Sequence, residues 1–267
     1  MKKYADLKGT EIMANIYTFK RTEMKYRLTK DQYDEFIERV MEHLVPDEHP
    51  VSEIHNIYYD TPDYRLIRMS LEKPYYKEKL RLRTYGIPTN YSASFLEIKK
   101  KVDGIVYKRR IELPYGRAFS YMNFNEPIST QSQIAKEIEY FKAFYSNLMP
   151  KMVINYNREA YVAKDDPDFR ITFDYDITYR TDNLDLKKDL GGERLLPEGE
   201  YLMEIKTSKA IPLYLVNVLN KMGLYKTTFS KYGEGYTREF IKAGLSLVAA
   251  GQAASASQRS RQNLAYV

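Results

Sequence analysis

Two hydrophobic periodicities alternate along this chain, and together they predict a protein of mixed α and β structure. In four segments the apolar residues recur every three or four positions, which is the spacing of one helix face. Most of the sequence between these segments alternates apolar and polar positions, which is typical of strands. The predicted helices run from Thr29 to Pro46, from about Gln131 to Leu148, from Pro212 to Gly223 and from Tyr236 to Ala243.

The clearest strand pattern lies between Arg170 and Arg180, where apolar and polar residues alternate without interruption. Such a strand has one apolar face and one polar face. Its polar face is expected to be wet. The apolar face is predicted to hold Ile171, Phe173, Tyr175, Ile177 and Tyr179.

A hairpin is predicted at Asp103-Gly104, because this dipeptide favours the two-residue turn that joins antiparallel strands. Pairing the residues backward from that turn sets Glu97 opposite Arg110 and Lys99 opposite Lys108. These four charged residues therefore share one face of the hairpin, and the other face is apolar.

Composition sets limits on the function. The chain has 267 residues, with 42 Lys and Arg against 36 Asp and Glu, so its net charge of +6 permits an anionic partner without requiring one. The absence of cysteine excludes disulfides, thiolate zinc sites and cysteine catalysis, and three histidines are too few for a histidine-rich metal site. Because the sequence has neither a signal peptide nor a run of ~20 apolar residues, we expect a cytoplasmic protein.

The strand-rich part of the chain contains no Gly-, Ser- or Pro-rich linker. We therefore expect one domain over residues 21–243, preceded by an N-terminal extension at residues 1–20. Residues 244–267 are rich in Ala, Ser and Gln and lack a core pattern, so they are expected to form a flexible tail.

One short pattern, acid-x-lysine, recurs three times with an apolar residue in the middle. It occurs at Glu23-Met24-Lys25, at Glu97-Ile98-Lys99 and at Glu204-Ile205-Lys206. On a strand, a spacing of two puts the acid and the lysine on the same face. The run Lys79-Leu80-Arg81-Leu82-Arg83 alternates in the same way, with basic residues alone on its polar face.

These charged faces predict the fold. An ordinary solvated sheet mixes its charges, because like charges opposite each other are unfavourable. A face so rich in aligned Lys and Arg is better explained by a sheet closed on itself, with its apolar face outward beneath the helices and its charged face lining the interior. We therefore expect an α+β fold, in which an antiparallel β-barrel forms a tunnel and helices pack on the outside.

A charged interior of this kind has to be wet and to bind an anion, because an unpaired buried ion costs several kcal/mol. The basic candidates outnumber the acidic ones by about the charge of a triphosphate tail. Carboxylates add nothing to a pure phosphate site, so they point to a divalent metal, Mn²⁺ or Mg²⁺, that is shared with the phosphates. The basic candidates are Lys25, Arg81, Arg83, Lys99, Arg158, Arg170, Lys206 and Lys231, and the acidic ones are Glu23, Glu97, Asp174 and Glu204.

Eight segments of the chain, in their order, match the pattern of a known enzyme family. They are Arg21 to Arg27 (RTEMKYR), Ile57 to Thr61 (IYYDT), Lys79 to Tyr85 (KLRLRTY), Phe95 to Lys99 (FLEIK), Tyr156 to Tyr161 (YNREAY), Phe169 to Asp174 (FRITFD), Leu202 to Lys206 (LMEIK) and Phe229 to Tyr232 (FSKY). This set resembles the triphosphate tunnel metalloenzymes, and in detail their VTC branch, the catalytic domain of the vacuolar transporter chaperone. The resemblance implies that basic strands hold the triphosphate of ATP and that its terminal phosphoryl group moves to polyphosphate, with manganese or magnesium present.

The resemblance also implies roles for individual residues. Tyr156 and Ser230 are expected to be neutral donors to phosphate. Glu204 is expected to hold the metal, and Glu23 and Glu97 are weaker candidates for the metal or for orienting lysines. The expected catalytic residues are Arg81, Arg83, Lys99 and Lys206, and the expected substrate-binding residues are Lys25, Tyr156, Arg158, Arg170, Ser230 and Lys231.

Three functions stay open from the sequence. The leading one is a polyphosphate polymerase, an ATP-dependent phosphotransferase whose partners are ATP and inorganic polyphosphate. The second is a phosphohydrolase for tri- or polyphosphate or for nucleoside triphosphates, which differs only in using water as the acceptor. The third is a non-enzymatic polyphosphate-binding module. Nucleic acid is not an expected partner, because the basic residues alternate inward and do not form an exposed stripe.

Eukaryotic members of the VTC branch also carry a phosphate-sensing domain and a membrane-spanning partner segment. Neither has a counterpart in this sequence, so inositol-phosphate regulation is not expected. A membrane-protein partner is compatible with the resemblance, but no sequence feature marks one.

Overall fold

The computed structural model describes residues 16–19, 22–103, 105–128 and 132–244. In these ranges the chain forms a ten-stranded sheet flanked by helices. The strands are β1 (Ile16–Phe19), β2 (Thr22–Leu28), β3 (Leu44–Asp60), β4 (Tyr76–Tyr85), β5 (Ala93–Val102), β6 (Ile105–Pro114), β7 (Met149–Ala163), β8 (Asp166–Arg180), β9 (Glu193–Arg194) and β10 (Tyr201–Thr207). The helices are α1 (Lys30–Val40), α2 (Arg65–Leu71), α3 (Tyr115–Phe124), α4 (Gln133–Phe144), α5 (Leu213–Lys221) and α6 (residues 231–244).

All strand pairs are antiparallel, in the order β1-β6-β5-β4-β3-β7-β8-β10-β2, with β9 paired to β8. Within the described residues, no backbone pairing joins the end strands β1 and β2, so the sheet is not closed by hydrogen bonds. The sheet is nevertheless rolled, because Lys99 Nζ of β5 lies 3.3 Å from Glu23 Oε2 of β2, across the concave face. The predicted α+β fold is confirmed. It differs from the expected closed barrel in that β1 and β2 are not paired with each other.

The outward face of the sheet is apolar and is covered by helices. Over β4, β5 and β6, helices α3 and α4 bury one cluster that includes Leu80, Leu96 and Phe141. Over β2, β8 and β10, helices α1 and α5 bury a second cluster that includes Phe36 and Phe173. Full burial of each such side chain contributes ~1.5–3 kcal/mol, so the two clusters stabilise the rolled sheet from outside.

A third apolar cluster lies on the inward face. It joins Ile154 and Tyr156 of β7, Ile177 and Tyr179 of β8, and Tyr232 of α6. The first turn of α6 therefore lies against the interior of the sheet and does not cover its outside. Charged side chains occupy the remaining part of the inward face.

The four predicted helices are present, with shifted ends. Thr29 caps α1 as expected, because its Oγ1 accepts from Gln32 N at 3.2 Å and the Gln32 side chain accepts from Thr29 N at 3.0 Å. Helix α1 ends at Val40, before the predicted limit at Pro46, because β3 follows a single 3₁₀ turn. Helix α6 begins at residue 231 and not at Tyr236.

The strand predicted from Arg170 to Arg180 is present as part of β8, but its alternation is interrupted. β8 has one more residue than β7 at a β-bulge, where Asp176 adopts a φ of 49°. Phe173 consequently packs in the outer cluster, whereas Ile177 and Tyr179 pack in the inner one. The prediction of a single apolar face along this strand is therefore wrong beyond the bulge.

The predicted register of the hairpin is confirmed. In the β5–β6 pairing, Glu97 lies opposite Arg110 and Lys99 lies opposite Lys108. Gly104 of the predicted turn lies outside the described residues. These four charged residues thus share the inward face.

Strand β1 falls within residues 1–20, which the sequence assigned to an extension, and it pairs with β6. Residues 1–15 and the expected tail after residue 244 lie outside the described residues. In the part of the chain that the structure describes, no helix combines the length and the apolarity needed to cross a bilayer.

Candidate active site

Charged side chains from seven strands, β2, β4, β5, β6, β7, β8 and β10, meet on the inward face of the rolled sheet. The segment that precedes α6 joins two sides of this interior. Lys25 Nζ of β2 donates to the carbonyl oxygen of Phe229 at 2.8 Å, and Lys79 Nζ of β4 donates to Ser230 Oγ at 3.0 Å. The interior is therefore one continuous site, to which strands distant in sequence contribute.

Glu97 of β5 is the centre of one charged cluster. Its side chain is 1% exposed; Oε2 lies 2.7 Å from Arg81 Nε and 4.0 Å from Arg83 Nε, and Oε1 lies 2.7 Å from Lys108 Nζ. Burial would raise the pKa of Glu97, but these three cations hold it well below its usual range. Burial also lowers the pKa of Lys108 to about 7, although Glu97 opposes that shift. Glu97 is thus an ionised carboxylate enclosed by cations.

Glu204 of β10 is the centre of a second cluster. Its carboxylate oxygens lie 3.1 Å from Lys206 Nζ, 3.3 Å from Lys25 Nζ, 3.7 Å from Lys231 Nζ and 3.8 Å from Arg158 Nη2. Burial would raise the pKa of Glu204, but the surrounding lysines, Lys206 first, hold it well below its usual range. This carboxylate is therefore ionised and shared among four cations.

Asp174 of β8 binds two of the cations that surround Glu204. It is completely buried and binds Arg158 through two hydrogen bonds, of 2.5 Å from Nε and 2.8 Å from Nη2. Lys231 Nζ donates to the same carboxylate. A guanidinium held by two parallel bonds has a fixed orientation, so Asp174 positions Arg158.

Tyr156 of β7 connects the two clusters. Its hydroxyl accepts from Arg83 Nη2 at 3.1 Å, and its ring centroid lies 4.5 Å from Lys231 Nζ and 5.4 Å from Arg158 Cζ. Burial would raise the pKa of Tyr156, but Arg83 and Arg158 lower it. The ring also supplies a cation–π surface for two of the basic side chains.

The charged face extends from the interior to solvent. The Arg83 side chain is 6% exposed, whereas Lys99 and Arg170 are 44% and 42% exposed. Arg170 lies opposite Lys206 in the β8–β10 pairing, and its Nε is 2.7 Å from Asp47 Oδ2. Lys99 and Arg170 therefore mark an entrance.

The structure brings all of the predicted site residues to this one face. Each predicted basic residue lies within 4.0 Å of a carboxylate oxygen. Sequence reasoning assigned no role to Asn56 and Tyr58 of β3, which accept from Arg83 and Arg81. Tyr58 lies in the IYYDT segment, whereas no local pattern marks Asn56. It also did not select Lys79 or Lys108 as site residues. Lys79 lies two positions before Arg81 on β4, and Lys108 lies opposite Lys99 in the β5–β6 pairing.

Glu23 and Glu204 are the carboxylates best placed to share a divalent ion. Lys25 Nζ lies 3.4 Å from Glu23 Oε1 and 3.3 Å from Glu204 Oε1, so the two acids converge on one point. Burial opposes ionisation of Glu23, but Lys99 and the other lysines lower its pKa to about 2. Within the described ranges, no group of three or more His, Asp or Glu residues could hold a metal. Two carboxylates fit an ion of the Mg²⁺ type that completes its shell with phosphate oxygens and water.

One solved structure with a related fold agrees with this architecture. A protein from Bacillus halodurans, a candidate adenylate cyclase, is 12% identical, with a TM-score of 0.50, over 78% of this chain and 92% of that one. A candidate adenylyl cyclase from Hippeastrum, described as having a dominant triphosphatase activity, is 14% identical, with a TM-score of 0.48, over 79% of this chain and 92% of that one. Among curated proteins, none matches this chain.

One family model matches the part of the chain that carries the sequence motifs and the charged residues of the inward face. That model, described as VTC domain, matches residues 20–240, which include every strand from β2 to β10 and every predicted site residue. The predicted resemblance is thereby confirmed, and the chain belongs to the VTC domain family.

Proposed function

We propose that this chain is a polyphosphate polymerase, which transfers the terminal phosphoryl group of ATP to a growing polyphosphate chain. The observation that carries the proposal is the convergence of basic side chains from β2, β4, β5, β7, β8 and β10 on one interior. The family and the fold support an enzyme of the triphosphate tunnel type that handles phosphoryl groups.

The basic residues bind and orient the phosphates in this proposal. Arg81 and Arg83 lie on one face of β4, two residues apart, so each can contact a successive phosphate. Their guanidinium groups offer forked donors, and Lys99 and Lys206 add point charges near the entrance. Together these four would contact the transferring phosphoryl group and the phosphates next to it. The remaining phosphates would be bound by Lys25, Tyr156, Arg158, Arg170, Ser230 and Lys231.

Glu204 and Glu23 would hold a Mn²⁺ or Mg²⁺ ion. Such an ion neutralises the charge of the phosphate oxygens. Of the two roles that the sequence left open for Glu97, its contacts favour the orienting one, because Arg81, Arg83 and Lys108 already surround its carboxylate.

Phosphoryl transfer needs little covalent chemistry from the protein, because alignment and charge stabilisation provide most of the catalysis. A pair of anions, the nucleotide and the polyphosphate end, must approach each other in the interior. Fixed cations such as Arg83 and Arg158, which are held by buried partners, reduce the repulsion between them.

The test is an incubation of the purified protein with ATP and Mn²⁺ or Mg²⁺, followed by gel electrophoresis of the products. The proposal predicts long polyphosphate chains. Lys206→Met should abolish their formation, whereas Lys100→Met, which removes a lysine from the opposite face of the sheet, should not. Release of inorganic phosphate without chains would indicate a phosphohydrolase, and tight polyphosphate binding without turnover would indicate a binding module.

A further inference from the structure

Lys79 differs from the other basic residues of the interior. It lies on the same face of β4 as Arg81, and its ammonium group donates to Ser230 Oγ at 3.0 Å. In the part of the chain that the structure describes, no carboxylate forms an ion pair with it. The predicted basic site residues, by contrast, each have a carboxylate within 4.0 Å.

Cations surround Lys79 on the elements packed against it. Lys99 lies directly opposite on β5, Lys25 approaches from β2, and Lys77 and Arg81 flank it on its own strand. Because burial and all four neighbours act in the same direction, they lower the pKa of Lys79 to about 7. Among the described residues, a charge in this position has no carboxylate as a counter-ion.

Ser230 has hydrogen-bonding capacity to spare at the same point. Its Oγ accepts from Lys79 Nζ and, at 3.2 Å, from the backbone N–H of Gly233. A hydroxyl oxygen accepts two hydrogen bonds and donates one. When Lys79 is protonated, both lone pairs of Ser230 Oγ are used, and its hydrogen is left to be donated to an acceptor from outside the protein.

We propose that Lys79 Nζ and Ser230 Oγ together bind one phosphate group of the substrate chain. This inference rests on the proposed function and adds Lys79 to its phosphate-binding residues. The bound phosphate supplies the missing counter-charge and accepts the hydroxyl hydrogen of Ser230. It also favours the protonated lysine, so binding at mildly alkaline pH takes up a proton.

The first experiment measures the binding of inorganic tripolyphosphate at pH 8 by titration calorimetry without metal. Lys79→Met should weaken binding roughly tenfold or more, as the loss of a charge-assisted hydrogen bond does. Lys79→Arg should bind at least as tightly as the wild type. The matched control Lys100→Met removes one lysine from the outward face of β5 and should bind like the wild type.

The second experiment repeats the titration in two buffers with different heats of ionisation. The wild type should take up as much as one proton more per bound tripolyphosphate than Lys79→Arg, because arginine is protonated throughout. The affinity of the wild type should fall as the pH rises from 7 to 9 more steeply than that of Lys79→Arg. The comparison isolates Lys79 from Lys108, whose pKa is also about 7 and which both proteins retain.

The outcomes separate this inference from the function beneath it. If the wild type makes polyphosphate but Lys79→Met binds tripolyphosphate with wild-type affinity, only the inference is overturned. If wild type and Lys79→Arg take up the same number of protons and Lys79→Met also binds tripolyphosphate with wild-type affinity, the phosphate does not bind at Lys79. If the wild type does not bind tripolyphosphate at all, both proposals are wrong.

Discussion

Replacement of Glu97 by Gln tests how the charged interior is stabilised before substrate binds. The Glu97→Gln substitution keeps the size of the side chain but removes the charge that Arg81, Arg83 and Lys108 share. Lys108 can lose its proton near neutral pH because burial lowers its pKa to about 7, but the two arginines cannot. The variant therefore retains two poorly compensated cations, one of which is 6% exposed.

Removing one partner of a buried ion pair typically costs about 3–5 kcal/mol. Since Arg81 is partly exposed, we expect a loss of about 3 kcal/mol in the free energy of unfolding for Glu97→Gln. The pKa of Glu97 in the folded protein lies below its usual range. Its contribution to the free energy of unfolding is therefore fully present above the pKa of an unfolded glutamate, and it is lost as the pH falls through the lower pKa of the folded state. The stabilities of wild type and variant should thus converge in acid.

The assay is urea unfolding followed by circular dichroism, with Glu78→Gln as the control. Glu78 is buried on the opposite face of the neighbouring strand and accepts from the hydroxyls of Tyr76 and Tyr145, each at 2.6 Å. Tripolyphosphate should restore much of the stability lost in Glu97→Gln, because it supplies negative charge, and should not restore that lost in Glu78→Gln. A loss below about 1 kcal/mol in Glu97→Gln, or no response to tripolyphosphate, would refute the reasoning.

Three further predictions concern other residues of the interior. Arg81→Ala or Arg83→Ala should each weaken triphosphate binding more than tenfold, since each removes a contact worth roughly 1.5–3 kcal/mol; wild-type affinity in a binding titration would show that the strand does not contact substrate. Glu204→Gln should lower turnover on the order of a hundredfold while metal-free ATP binding persists, and unchanged turnover at ordinary Mn²⁺ would remove Glu204 from the metal site. Without ligand, Lys79→Met should be more stable than the wild type by a few kcal/mol below pH 7, and this gain should fade towards pH 10 in urea unfolding. The reason is that the pKa of Lys79 is lowered to about 7 in the folded protein, so the wild type is destabilised at a pH where an unfolded lysine is protonated.

Local patterns in the sequence were sufficient for much of this architecture. The acid-x-lysine spacing placed Glu97 and Lys99 on one face, and the Asp-Gly dipeptide gave the register of the β5–β6 hairpin. Both signals act over a few residues, so strand geometry and turn chemistry determine the outcome. Helix α1 was predicted for the same reason, because Thr29 and Gln32 cap it locally.

Features that depend on distant parts of the chain could not be predicted. The bulge at Asp176 puts a non-glycine residue at positive φ, and nothing in the surrounding alternation marks it. Helix α2 has seven residues, too few for a helical period, and its first turn is held by Asp60, which accepts from the N–H groups of Leu66 and Ile67. Lys79 has no carboxylate partner among the described residues, whereas its neighbours Lys25 and Lys99 both pair with Glu23. This difference arises when the sheet rolls and brings β2 near β4 and β5, so the local sequence does not show it.

The pairing of the interior cations with carboxylates has a consequence for a substrate that must move. Asp174 and Glu204 are the anionic partners of Arg158 and Lys231, two cations that would also contact phosphate oxygens in the proposed function. In the proposed function, an arriving phosphate would exchange one anionic partner of these cations for another, so each step would yield less free energy than the neutralisation of a bare cation. In ion channels, successive sites have to release what they bind, and weak binding at each site makes this possible. Weak net binding at each position would in the same way allow a long anion to advance by one unit at a time. The same acids that compensate the interior cations would thereby keep the product from being trapped.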